Sequence, residues 1–257
     1  MRFSRQFPSQ QHLSAALLAL SVLSLSFAST AFAEDSIKQS NGVVRTGQIT
    51  GVRNGNVMIK FGPGEIGIPL TQATSIIMTE PASVPKGLAL QETGKFAEAL
   101  AILKPVVDQF GGLPLVWAQN ATASIGDLYL SLDKTVEASA AYAKFKQLYP
   151  GAGLSLQADV GMARVAAASN KFAEAKTALA PIIASALTKP DITKAESAAF
   201  GQAYFTLGNI AEKENNPSVA LEHYLRTVTI FYVDRATAAR AQERADALRK
   251  NGSVAVP

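Results

Sequence analysis

The chain has 257 residues, 48% of them hydrophobic, with 24 basic and 20 acidic residues and a formal net charge of +4. It has no cysteine and only two histidines, His12 and His223. These counts exclude a disulfide framework, thiol catalysis, iron–sulfur clusters and any single-chain metal site built on several imidazoles.

The first segment reads as an export signal. Arg2 and Arg5 give a basic start, "LSAALLALSVLSLSFA" follows from Leu13 to Ala28, and Ala31 and Ala33 precede Glu34. A charged start, a short apolar run and an A-x-A site describe a cleavable secretory signal over 1–33. The run is short for a membrane span, and serines interrupt it. No cysteine near Ala33 could carry a lipid. Cleavage would remove Arg2 and Arg5 and no acidic residue, taking the net charge from +4 to +2. The expected location is therefore periplasmic or secreted, with no stable membrane anchor after cleavage. No dense Lys/Arg cluster marks a nucleic-acid partner.

Residues 34–80 have the texture of strands. "GVVRTGQITGVRNGNVMIKFGPGEIGIPL" mixes β-branched residues with glycines, and Asn54-Gly55 stands between two such runs. Asn-Gly accepts the positive φ angles of a type I′ hairpin turn. "GPG" at Gly62–Gly64 predicts a second turn, and "EIGIPL" and "ATSIIM" predict further strands. Four or five short strands in so small a piece favour closure, which removes unpaired edges. The pattern resembles an SH3-like or Sm-like barrel. Two prolines in "TEPASVP" predict a linker at 81–85.

From residue 86 the period becomes helical. "KFAEALAILKPVV" (Lys95–Val107) returns as "KFAEAKTALAPII" (Lys171–Ile183), an offset of 76 residues. Further blocks carry Gly126, Tyr129, Ala138, Tyr142 and Pro150, then Ala163, Phe172, Ala175 and Leu179, then Tyr204, Leu207, Gly208, Ala220 and Tyr224. Small residues let paired helices approach closely. A single pair cannot bury its apolar stripe, so pairs must stack. Gly126 against Ala138, and Gly208 against Ala220, are expected at the crossings. Pro105 and Pro181 occupy matching places in second helices and predict bends near Ala101 and Thr177. In 234–250, Ala238, Ala241, Ala245 and Leu248 share one face of a charged helix that Asp234 would cap. That helix would close the apolar end of the stack, leaving 251–257 as a tail.

These blocks resemble the tetratricopeptide repeat family, best in Gly126, Tyr129, Ala138, Tyr142 and Pro150. Pro217 replaces a turn aromatic in the last block. Anchored on Ala99, Ala138, Ala175 and Ala220, the spacings are 39, 37 and 45 residues, longer than the family's usual thirty-four or so. The expected fold is mainly α: four helix pairs over 86–233 in an α-solenoid, preceded by the small β-barrel.

The resemblance implies a concave groove lined by first helices and used for partner peptides. By spacing, the groove candidates are Asn120, Ala123, Asp127, Gln157, Val160, Arg164, Gln202, Phe205, Asn209 and Glu212. Asn and Gln can pair with a peptide backbone, and Phe205 can anchor an apolar side chain. No Gly-x-Ser-x-Gly elbow or phosphate loop occurs, so catalytic residues, cofactor and metal are all expected to be none. His223 lies in a helix without a local partner, and Trp117 is expected in the core. The expected function is a non-enzymatic scaffold of the cell envelope that binds a protein segment. The alternative is a β module that binds a glycan or other polymer, with the helices as an assembly platform.

Overall fold

A computed structural model describes residues 34–151 and 153–250. The segments 1–33 and 251–257, expected as signal and tail, lie outside the described residues.

The chain starts as β1 (Asp35–Gln39), β2 (Val44–Arg53), β3 (Asn56–Phe61), β4 (Gly64–Pro69) and β5 (Ala73–Ile77). They form one antiparallel sheet in the order β4-β3-β2-β1-β5. The β2–β3 hairpin turns at Asn54 (φ 50°) and Gly55 (φ 75°), the pair of left-handed residues that a type I′ turn requires. The long β2 serves two partners: its first half pairs with β1 and its second with β3, with a bulge between Ile49 and Gly51. Alternation buries Ile37, Ile49, Val57, Ile59 and Ile68 on one face, while Phe61, at the end of β3, is exposed.

Residues 81–85, expected as a linker, include the first turn of a helix. Helix α1 spans Ser83–Glu92, so Pro85 sits where its missing N–H costs no helical bond. The sheet and the first helices also share one apolar core, in which Ile37, Ile59 and Ile68 join Val84, Leu103 and Leu113. Gln109 fastens the junction by donating from its amide to the Thr50 carbonyl at 2.8 Å. The close approach there leaves no room for a side chain at Gly51, whose Cβ would lie 2.6 Å from the Gln109 carbonyl oxygen.

The helices come in four antiparallel pairs. They are α1 with α2 (Phe96–Phe110), α3 (Val116–Ser131) with α4 (Thr135–Leu148), α5 (Ser155–Ala168) with α6 (Phe172–Thr188), and α7 (Lys194–Lys213) with α8 (Pro217–Thr229). A last helix, α9 (Arg235–Lys250), packs on α8. Each pair turns in the same way. Gly94, Asp133, Asn170 and Asn215 are all left-handed, with φ between 56° and 77°. The next residue donates its N–H five residues back: Lys95 to Leu90, Lys134 to Tyr129, Lys171 to Ala166 and Asn216 to Ala211, at 2.8–2.9 Å. This is the Schellman ending, made four times.

Ala99, Ala138, Ala175 and Ala220 are all fully buried, as the repeat spacing requires. One turn later come Leu103, Tyr142, Leu179 and Tyr224, also fully buried. The contacts shown by the small residues of the first helices are with these side chains. A Cβ on Gly87 would meet Leu103 at 2.5 Å, one on Gly126 would meet the Tyr142 ring at 2.4 Å, and one on Gly208 would meet the Tyr224 ring at 2.4 Å. Gly161 of α5, in the next pair, presses on the same Tyr142 ring: a Cβ there would lie 2.3 Å from Tyr142. One phenol ring thus meets glycines of two successive pairs.

Pro105 and Pro181 lie inside helices that run on without a break. Both prolines, and the Ala101 and Thr177 residues whose carbonyls lose a donor, face solvent, where water serves instead. Trp117 is buried, edge-on to Phe110 with centroids 5.8 Å apart. On α9 the buried residues are Thr237, Ala241, Ala245 and Leu248, packed near Ala211, Leu221 and Tyr224. Thr237 takes the inward place expected of Ala238, because Asp234 caps α9 by accepting from the Thr237 N–H (3.1 Å) and hydroxyl (2.7 Å).

Candidate functional site

The first helices of pairs two to four present one side to a concave face. A cavity of about 530 Å³ there is lined by Asn120, Ala123 and Asp127 of α3, Gln157 and Arg164 of α5, and Gln202 of α7. The i, i+3, i+7 spacing brings these six together, because it follows one face of a helix. A second cavity of about 420 Å³ shares Arg164 and Gln202 and adds Phe205 and Asn209. A third, of about 500 Å³, is bounded by Asn209, Glu212, Lys213 and Arg244.

Val160 does not belong to this face. It is fully buried and packs in the core built by α5, α6 and α7, since a mid-stack helix has neighbours on two sides. Spacing also missed further groove residues, among them Gln91 from α1, and Asp234, Thr237 and Arg240 from the start of α9. Their signal is the i, i+3, i+6 run on α9, which reads from sequence only as a cap and a helix.

The electrostatic centre is Asp127. Its carboxylate accepts from the Tyr142 hydroxyl at 2.8 Å, from the Gln157 amide at 3.3 Å and from the Arg164 guanidinium. Side-chain exposure is only 17% for Arg164 and 11% for Asp127, so removing either partner would strand a poorly hydrated charge. Burial works against the Arg164 cation, but the Asp127 carboxylate overrides it and holds the pKa above the usual guanidinium range. Burial, reinforced by Asp127, pushes the Tyr142 phenol well up.

Gln202 continues the network: its oxygen accepts from Arg164 at 3.3 Å and its amide donates to Asp234 at 3.0 Å. Burial raises the Asp234 carboxyl, yet the donors Gln202 and Thr237 outweigh it and leave the pKa below the ordinary value. A chain of polar side chains therefore crosses α4, α3, α5, α7 and α9.

The fourth pair repeats the second in a milder form. Gly208-Asn209 with Tyr224 stands where Gly126-Asp127 stands with Tyr142, and the Tyr224 hydroxyl donates to Asn209 Oδ1 at 2.8 Å. Phe205 leans on Tyr224 with centroids 5.6 Å apart, and the Arg240 guanidinium lies 5.1 Å over its ring. Glu212 is taken by Arg244 of α9.

The chain matches no family model, and no curated protein matches it. Solved structures are similar, and two of them are the following. The MamA RS-1 ArsTM double mutant is 15% identical with a TM-score of 0.39, covering 68% of this chain and 98% of that one. MamA is 18% identical with a TM-score of 0.37, covering 68% of this chain and 97% of that one. Likeness at this level adds nothing to the geometry above.

His223 is half-buried on α8, with its ring 5.8 Å from that of Tyr204. It lines none of the three cavities. No described helix is long and apolar enough to cross a membrane.

Proposed function

We propose that the chain is a non-enzymatic scaffold that holds a segment of a partner protein in its concave groove. Its helical part is of the tetratricopeptide repeat kind, and its sheet is of the SH3-like or Sm-like kind, consistent with the order β4-β3-β2-β1-β5 and the long shared β2. The partner belongs to the cell envelope, reached by export through the signal at 1–33.

One observation carries this reading: polar side chains from α3, α5, α7 and α9 converge on one continuous concavity, held in place by their own hydrogen bonds. Such preorganisation lowers the ordering cost of binding an extended segment. The groove candidates other than Val160 are its contact residues, with Phe205 as the apolar anchor. A role for the sheet as a glycan-binding module is less favoured, because its apolar face is spent on the core shared with α1 and α2.

Photo-crosslinking in intact cells tests the proposal. A photoreactive residue at Asn120 or Gln91 should give a discrete protein adduct, and one at the outward-facing Lys144 should not. Equal labelling at all three positions would remove the groove from the account.

A further inference from the structure

Along the groove, acceptors and donors are not equally free. The Asp127 carboxylate has three donors, and Asp234 is held by Gln202 and Thr237. Gln202 uses its oxygen on Arg164 and its amide on Asp234. Asn209 spends its oxygen on the Tyr224 hydroxyl, which leaves its exposed NH2 facing outward. Donors remain unused. Among the described residues, Arg240 has no carboxylate within 4 Å and Lys213 has no ion-pair or hydrogen-bond partner. The cavity that these residues line with Phe205 has no acidic side chain in its wall. Partial burial and then the neighbouring Arg164 charge lower the Arg240 pKa, with Asp234 and Asp127 opposing them.

We infer that the cavity between α5, α7 and α9 takes an acidic side chain of the bound segment, with an adjoining apolar side chain against Phe205. The inference rests on the groove reading and names the chemistry of its partner. A carboxylate has only acceptors, so it matches Arg240, Lys213 and the Asn209 amide and competes with no acceptor of the wall. It would relieve the repulsion between Arg240 and Arg164. A cationic segment would meet the like charges of Arg164, Lys213 and Arg240 there.

The test uses the chain from residue 34 and short synthetic peptides, each with one leucine and one glutamate at varied spacing. Every peptide has a twin with glutamine in place of glutamate. The glutamate members should bind about tenfold more tightly than their twins, the size of one charge-assisted hydrogen bond, and lose that margin as salt is added. Arg240→Gln and, separately, Lys213→Gln should bring glutamate binding down towards the twin level. Lys213 is exposed and unpaired, so its variant keeps the fold. Equal binding of the twins would overturn the acidic preference and leave the groove reading standing. Binding of no peptide would overturn both.

Discussion

Among the residues, His223 makes a pH dependence that can be assigned to a single group. It is the only histidine beyond residue 33, and burial holds its imidazole below the usual value. The unfolded chain takes up a proton near about pH 6.5, while the folded chain resists it. Stability is therefore fully present above that pH and is lost progressively as the pH falls below about 6.5 towards the folded value. Urea midpoints measured at neutral pH and at about pH 5.5 should differ for the parent chain and differ less for His223→Gln. An unchanged slope in the variant would mean that the imidazole is hydrated in the fold.

Helices are set apart by single atoms at Gly126. Alanine there would gain about 1 kcal/mol of helix propensity, but its Cβ would stand 2.4 Å from the Tyr142 ring. Overpacking of this sort costs about 1–3 kcal/mol, and Gly161 also crowds the ring, so a net loss of up to about 2 kcal/mol is expected for Gly126→Ala. A chemical-denaturation midpoint at or above the parent value would show that the ring has somewhere else to go.

The repeat was legible in the sequence because buried alanines, and the leucine or tyrosine one turn on, are fixed by helix crossing. The Asn54-Gly55 hairpin was legible because few residues take positive φ twice in succession. Other features were not. Asp133, Asn170 and Asn215 make the same turn as Gly94, but a left-handed polar residue looks like any loop residue until its backbone is seen. Val160 fits the groove spacing, yet its face is decided by the pair above it. The contributions of Arg240 and Asp234 depend on how α9 folds back over the stack, which no local pattern records.

For the molecule as a whole, the shared core between sheet and helices makes a prediction about cooperativity. Trp117, the only tryptophan, sits in the apolar cluster that runs from Ile37 to Leu128. Pairs two, three and four and the terminal helix are tied together by the Asp127–Arg164–Gln202–Asp234 network. Loss of Trp117 fluorescence and loss of far-ultraviolet helix signal should therefore coincide in urea. Two separated transitions would show that the sheet end and the far end melt as independent blocks, as long repeat arrays can.

The slot that grips Tyr142 has a geometric corollary. Because glycines of the second and third pairs both close on this phenol, its bulk works as a feeler gauge between those pairs. The breadth of the hollow is thus metered by the slimness of one aromatic plate, and a bulkier or slighter occupant at that one position would retune how far the spine arches.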